Sequence, residues 1–144
     1  NDHYPTLDLE SIKDDLFMEK TSDKVSFLFL KAATVRKQVF SIEHMMLLST
    51  MGKLDTYSMA TRQNCLEALY SSIEHMNEKH LLKPELIDSL GEILKDKNEK
   101  IQKLAAATLC LIATDEKSRL SNSILEKLAV MLQCDDQKLL HNLL

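Results

Sequence analysis

"LIDSLGEILKDKNEKIQKLAAATLCLIA", Leu86 to Ala113, reads as two helices around a short polar turn. Leu86, Leu90, Ile93 and Leu94 recur at helical spacing. Lys83-Pro84 just upstream is a natural start, because proline is favoured in the first helical turn. "KDKN", Lys95 to Asn98, is the turn. The second helix, Ile101 to Ala113, is apolar nearly all round, and a helix of that kind must be packed between others. Ala105, Ala106 and Ala107 let neighbours approach closely, while Leu104, Leu109, Leu111 and Ile112 fill the gaps between them.

The same texture extends along the chain. Leu9, Ile12 and Leu16 mark a helix over Asp8 to Glu19, after Pro5-Thr6, and "KTSD" (Lys20 to Asp23) is a break. Val25 to Ala33 is apolar on all sides and predicts a buried helix, since no second strand-like run exists to pair with it. Thr34 is expected to cap a helix from Val35 to about Met51, with its stripe on Val35, Val39, Ile42 and Met46. After the turn Gly52 to Thr56, Tyr57 to about Asn77 carries Leu66, Leu69, Ile73 and Met76 on one face. Ser123 with Glu126 reads as a capping box opening Ile124 to Gln133, and Asp135-Asp136 is the last turn. About seven helices and an all-α fold are expected. With only two glycines and two prolines in 144 residues, hairpins and phosphate-cradling loops are scarce.

Laid over itself with a shift of 38, Leu86 to Ala107 matches Ile124 to Leu144: Leu86 meets Ile124, Leu90 meets Leu128, and turn meets turn. With a shift of 40, Thr61 to Ile73 matches Ile101 to Ala113: Cys65 meets Ala105, Ala68 meets Thr108, and Leu69 meets Leu109. A two-helix unit of about 40 residues lies in the range of stacked helical repeats.

On Leu90, Ile93, Leu94, Asp96, Ile101, Gln102, Ala105, Ala106, Leu109 and Ile112, the chain resembles the HEAT/armadillo superfamily. The resemblance implies an α-solenoid of antiparallel helix pairs, the second helix of each pair lining a concave surface. It covers residues 56–144 and leaves 1–55 as divergent or capping N-terminal helices. No glycine stands where armadillo units usually place one between their first helices, which favours HEAT-like pairs. The absence of tryptophan sets the chain apart from importin-α-like grooves and from tubulin-binding domains of the TOG type.

Composition narrows the function. The net charge is −4 with both signs interspersed, so there is no basic footprint for nucleic acid. No apolar run approaches the roughly 20 residues of a membrane span. Cys65, Cys110 and Cys134 form no CxxC and fall among apolar residues, which predicts reduced, buried thiols and a cytosolic or nuclear setting. HExxH, GxGxxG, P-loop and GxSxG motifs are all missing, so neither catalysis, cofactor, metal nor small-molecule substrate is expected. The chain begins with Asn1 and stops inside "QKLLHNLL", and it reads as a piece of a longer protein.

The expected function is a protein–protein scaffold or adaptor that binds another protein or peptide. The alternative is a regulatory or structural helical domain of a larger enzyme or assembly. The ridge opposite the Ile101-Ala105-Leu109 stripe carries Lys100, Lys103 and Ala107. The two shifts add Lys138 and His141 on one side and Gln63 and Glu67 on the other. "IEHM" occurs at Ile42 and again at Ile73. Their spacing of 31 is off the repeat register, and each is read as one amphipathic turn with Glu43-His44 and Glu74-His75 toward solvent.

Overall fold

The structure, a computed structural model, describes residues 22–115 and 119–132. Within them lie six α-helices and no strand. They are α1 (Ser22–Thr34), α2 (Ile42–Lys53), α3 (Met59–Glu74), α4 (Pro84–Ile93), α5 (Glu99–Asp115) and α6 (Asn122–Leu132). A 3-10 turn, Lys79–Leu81, stands between α3 and α4. About seven helices were expected; the first of them, Asp8 to Glu19, falls outside the described residues, as does Asp135-Asp136.

Most of the expected segments are present with shifted ends. Pro84 opens α4 as anticipated, and Leu66, Leu69, Ile73, Met76, Leu86, Leu90, Ile93 and Leu94 are all buried. The stretch after Thr34 is a correction. Thr34 closes α1, its hydroxyl donating to the Leu30 carbonyl, and caps nothing. Lys37 adopts φ 55°, and the Gln38 N–H turns back onto the Ala32 carbonyl. This reversal drives Phe40 into the core, edge-on to Phe29 at 5.4 Å between centroids, with its N–H donated to the Ser72 hydroxyl. A helix continued from Val35 would have carried Phe40 past that site. Val39 is therefore 44% exposed, and the buried residues of α2 are His44, Met45, Leu48, Ser49, Met51 and Gly52.

Capping explains the other shifts. Ser41 caps α2, its hydroxyl accepting the His44 N–H, and Ser58 caps α3 in the same way through Thr61. At α6 the capping hydroxyl is Ser121, which accepts the Ile124 N–H, rather than Ser123 as expected. Ser22 and Asp23 lie inside α1, not in a break.

The helices pack in an alternating order. α3 lies against α1, α2 and α5; α5 also lies against α4; and α2 lies against α4. So α1, α3 and α5 form one row and α2 and α4 another. The seams within a row are small and polar. The Thr61 and Ser22 hydroxyls meet at 3.1 Å across 39 residues, Asn64 donates to Ser26 across 38, and Ser71 to the Ala33 carbonyl across 38. In the other row the hydroxyls of Ser49 and Ser89, 40 residues apart, meet at 2.6 Å. Of the positions paired by the sequence shifts, Cys65 with Ala105, Ala68 with Thr108, Leu69 with Leu109 and Leu90 with Leu128 are all inaccessible, whereas Leu86 is buried and Ile124 only half-buried.

Arg62 ties the rows together at one end. Its Nε donates to the Gly52 carbonyl at 3.0 Å and its Nη2 to the Lys53 carbonyl and the Asp96 carboxylate. The two side chains are only 5% and 14% exposed. Asp96 in turn accepts the Asn98 N–H, while Asn98 caps α5 through the Ile101 N–H. Burial pushes the Asp96 carboxyl up, but the Asn98 N–H, the Arg62 guanidinium and the Lys97 charge outweigh it and hold the group below the ordinary range. Its ionisation therefore favours the folded state. That contribution is complete above the unfolded carboxylate value of about 3.9 and is lost as pH falls through the lower folded value.

Both glycines serve close approach, since neither has a positive φ. A Cβ on Gly52 would stand 2.5 Å from two carbons of Leu66, and one on Gly91 2.9 Å from the tip of Ile124. The Gly91 contact seats α6 on α4.

Three substitutions test these contacts. Gly91→Ala gains about 1 kcal/mol of helix propensity against a methyl tip that can turn aside, so its midpoint in urea stays within experimental scatter or rises. Gly52→Ala meets the branch point of a fully buried leucine and loses about 1–3 kcal/mol in the same titration. Arg62→Met strands Asp96 and costs about 3–5 kcal/mol at pH 7. Followed by denaturation from pH 7 downward, that deficit shrinks as the pH falls through the lowered range of the Asp96 carboxyl and the ion pair is lost from the unaltered chain too.

Candidate partner-binding face

The outward face of the α1–α3–α5 row is set by what the helices bury. On α3, Thr61, Cys65, Ala68, Leu69, Ser72 and Ile73 turn inward, which leaves Gln63, Glu67, Tyr70 and Glu74 at i, i+4, i+7 and i+11. Gln63, Glu67 and Tyr70 are half-buried and Glu74 is exposed. On α5, Ile101, Ala105 and Leu109 are fully buried, Lys100 and Lys103 are exposed, and Ala107 is half-buried. Since α3 and α5 are packed side by side, Gln63, Glu67, Lys100 and Lys103 belong to adjacent helices of one row. Lys138 and His141 lie outside the described residues.

The electrostatics of this face are banded. Apart from the buried Arg62, the charges of α3 are Glu67 and Glu74. On the α5 side stand Lys100 and Lys103, the latter 3.2 Å from Glu99 in an exposed i,i+4 pair. On α1 the Lys31 ammonium lies 5.0 Å from the centre of the Phe27 ring, on the side opposite the Ser22, Ser26 and Ala33 contacts to α3. Burial, then the Glu74 carboxylate and the Cys110 thiol, raise the Tyr70 hydroxyl above its ordinary range, so it remains a donor at neutral pH.

Sequence reasoning missed Phe27 and Tyr70. Phe27 sits in the run expected to be buried on all sides, yet it is 42% exposed. Lys31 four residues on was the signal, since both share a face. Tyr70 was legible as the i+3 neighbour of Glu67.

The reactive side chains are engaged in structure. His44 is buried, contrary to the expectation that both Glu-His pairs face solvent. Its Nδ1 lies 2.5 Å from the Ser41 hydroxyl at the helix cap, while Glu43 and Glu74 are exposed and His75 is half-buried. Cys65 and Cys110 are buried free thiols, and Cys134 is outside the described residues. Asp23 accepts from the Ser58 and Thr61 hydroxyls, and these bonds, Ser58 first, hold its carboxyl below the usual range. Among the described residues no group of three or more His, Cys, Asp or Glu side chains is placed to hold a metal, and no buried side-chain nitrogen or oxygen lacks a partner. Nor is any helix among them long and apolar enough to cross a membrane. No family model, curated protein or solved structure matches the chain.

Burial pushes the Cys65 thiol up to about 12. Cys65 is therefore expected to stay unmodified by iodoacetamide at pH 8 in the folded protein and to react in urea, with the site read by peptide mass spectrometry. Rapid native labelling of Cys65 would contradict its place in the core.

Proposed function

We propose that this chain is a stretch of HEAT/armadillo-like α-solenoid, built of antiparallel helix pairs, that works as a non-catalytic interaction scaffold. A partner protein or peptide binds the face of α1, α3 and α5. The observation that carries this reading is the set of contacts between residues 38–40 apart, from Ser22–Thr61 and Ser26–Asn64 to Ser49–Ser89. α3 rests on α1, α5 on α3 and α4 on α2, with bonded offsets of 38–40 residues between α1 and α3 and between α2 and α4, which is the kind of packing a stacked two-helix repeat produces. Successive second helices then form a continuous surface on which a partner is held by shape and side chains, with no cofactor.

A regulatory or structural domain of a larger assembly is the second reading. Val130 favours it, an apolar side chain of α6 that is 72% exposed.

Capture from cell extract distinguishes the ridge from the rest of the surface. Lys100→Glu with Lys103→Glu is expected to lose a partner that the unaltered chain retains. A control reversal on α4, Glu85→Lys with Asp88→Lys, is expected to keep it. Identical recovery by both variants would contradict a partner site on this face.

A further inference from the structure

The two turns that Arg62 ties together, between α2 and α3 and between α4 and α5, form one edge of the molecule with an excess of positive charge. We propose that this edge docks an acidic peptide segment of another protein, with carboxylates over Lys95 and Lys97 and an apolar side chain over Leu54. The surface is distinct from the outer face of α1, α3 and α5, and it does not depend on the chain being a repeat array.

Along the sequence this region is nearly balanced, since Lys95, Lys97, Lys100 and Lys103 are interleaved with Glu92, Asp96 and Glu99. Folding removes the balance. Asp96 is turned inward onto the Arg62 guanidinium, and those two charges cancel beneath the surface. Glu92 is paired with the Lys53 ammonium at 3.2 Å, and Glu99 with Lys103 at 3.2 Å. Such exposed pairs are weak, but each cancels a charge locally. Lys95, Lys97 and Lys100 are left exposed, and among the described residues no carboxylate forms an ion pair with any of them. Three like charges within six residues repel one another in the free chain, and an incoming carboxylate relieves that repulsion.

The apolar part comes from the other turn. The Arg62 nitrogen that bonds the Asp96 carboxylate also bonds the Lys53 carbonyl, so Leu54 stands next to the junction of the two turns. Leu54 is 40% exposed, and Met59 at the start of α3 adds further apolar area. Asp55, the residue after Leu54, is exposed and acidic. It repels carboxylates set over the α2–α3 turn, which decides that this turn takes the apolar end of the segment and the α4–α5 turn the acidic end.

Both turns are fixed before any partner arrives. The Leu54 N–H donates to the Thr50 carbonyl at 3.2 Å, and the Leu54 carbonyl accepts the Tyr57 N–H. In the other turn the N–H groups of Leu94, Lys95 and Asp96 donate to the Gly91, Glu92 and Ile93 carbonyls, and the Gln102 side chain donates to the Asp96 carbonyl. Binding therefore orders side chains and leaves the backbone as it is, which keeps its entropic cost low. A peptide suits this edge better than a nucleic acid. Three lysines bounded by Asp55, Glu92 and Glu99, on a chain of net charge −4, are few for a phosphate backbone, and that backbone offers Leu54 no apolar contact.

The test uses the whole chain and fluorescence anisotropy at low salt. The probes are Asp-Glu-Asp-Ser-Leu-Leu-Ser, the basic Lys-Arg-Lys-Ser-Leu-Leu-Ser, the leucine-free Asp-Glu-Asp-Ser-Ser-Ser-Ser and a short oligo-dT. The first is expected to bind at least about tenfold more tightly than the other three, and more weakly as salt rises. Lys95→Gln with Lys97→Gln, verified as folded by thermal melting, is expected to lose about tenfold or more for the first probe. Leu54→Ser is expected to bring that probe down to the affinity of the leucine-free one. Lys83→Gln with Lys127→Gln, the same change in net charge placed elsewhere, is expected to leave binding unchanged. Equal binding of the acidic and basic peptides, oligo-dT bound as tightly as the first peptide, or equal losses in the two lysine double variants overturns the proposal.

Discussion

The buried guanidinium of Arg62 is the contact on which the arrangement of helices depends. It leaves α3 near its start, ends the orphan carbonyls of Gly52 and Lys53 at the last turn of α2, and reaches the Asp96 carboxylate in the turn between α4 and α5. One side chain therefore sets the angle between α2 and α3 and the distance to the following turn. The planar fork of arginine suits this task, because its donors point in several fixed directions at once and it stays charged when dry. The arrangement is paid for by desolvation, which the Asn98 N–H bond to the Asp96 carboxylate partly offsets, while the Gln102 side chain donates to the Asp96 backbone carbonyl. Asp96 also begins a chain of caps, through Asn98 to Ile101, that starts α5.

From that fixed end the helices run side by side along seams of small residues. Ser22, Ser26 and Ala33 on α1 face Thr61, Asn64 and Ser71 on α3, and Ser49 faces Ser89 in the other row. Hydroxyls and alanines let the backbones close in, and every buried hydroxyl that does so among the described residues finds a partner. Larger side chains (Phe29, Met45, Leu48, Leu66, Leu69, Leu90) fill the space between the rows. The outer face is left with residues too polar or too long to bury, and this is how Glu67, Lys100 and Lys103 come to share a surface. The banding of charge is a by-product of burying Arg62, which leaves α3 acidic.

How far this was legible in the amino-acid order varies by element. The run Leu86 to Ala113 announced two helices and their buried stripes, because proline, a polar turn and an alanine-rich helix each carry a local signal. The sequence shifts of 38 and 40 also anticipated the separation of bonded residues on packed helices, from Ser26–Asn64 to Ser49–Ser89. The stretch from Thr34 to Ser41 was not. Its departure from helix depends on Lys37 taking a left-handed conformation and on Phe40 meeting Phe29 and Ser72, and no local spacing encodes those partners. His44 was misread for the same reason: periodicity placed it outside, whereas Ser41, seen as part of a helix, is the cap that receives it. Of the face itself, Gln63, Glu67, Lys100 and Lys103 were found by register, Glu74 was not named for it, and Phe27 was lost in an apolar run whose exposed side only packing reveals.

The stacking offset is tested most directly by a cross-link between Ser49 and Ser89, whose hydroxyls lie 2.6 Å apart on helices two places removed. With Ser49→Cys and Ser89→Cys introduced together, mild oxidation of the folded chain should join positions 49 and 89, read as a single linked peptide pair by mass spectrometry. Disulfide geometry requires Cα atoms within about 7 Å, so the bond cannot form unless α2 and α4 are packed in this register. Free thiols at both positions after oxidation, or links to other cysteines instead, would contradict the account.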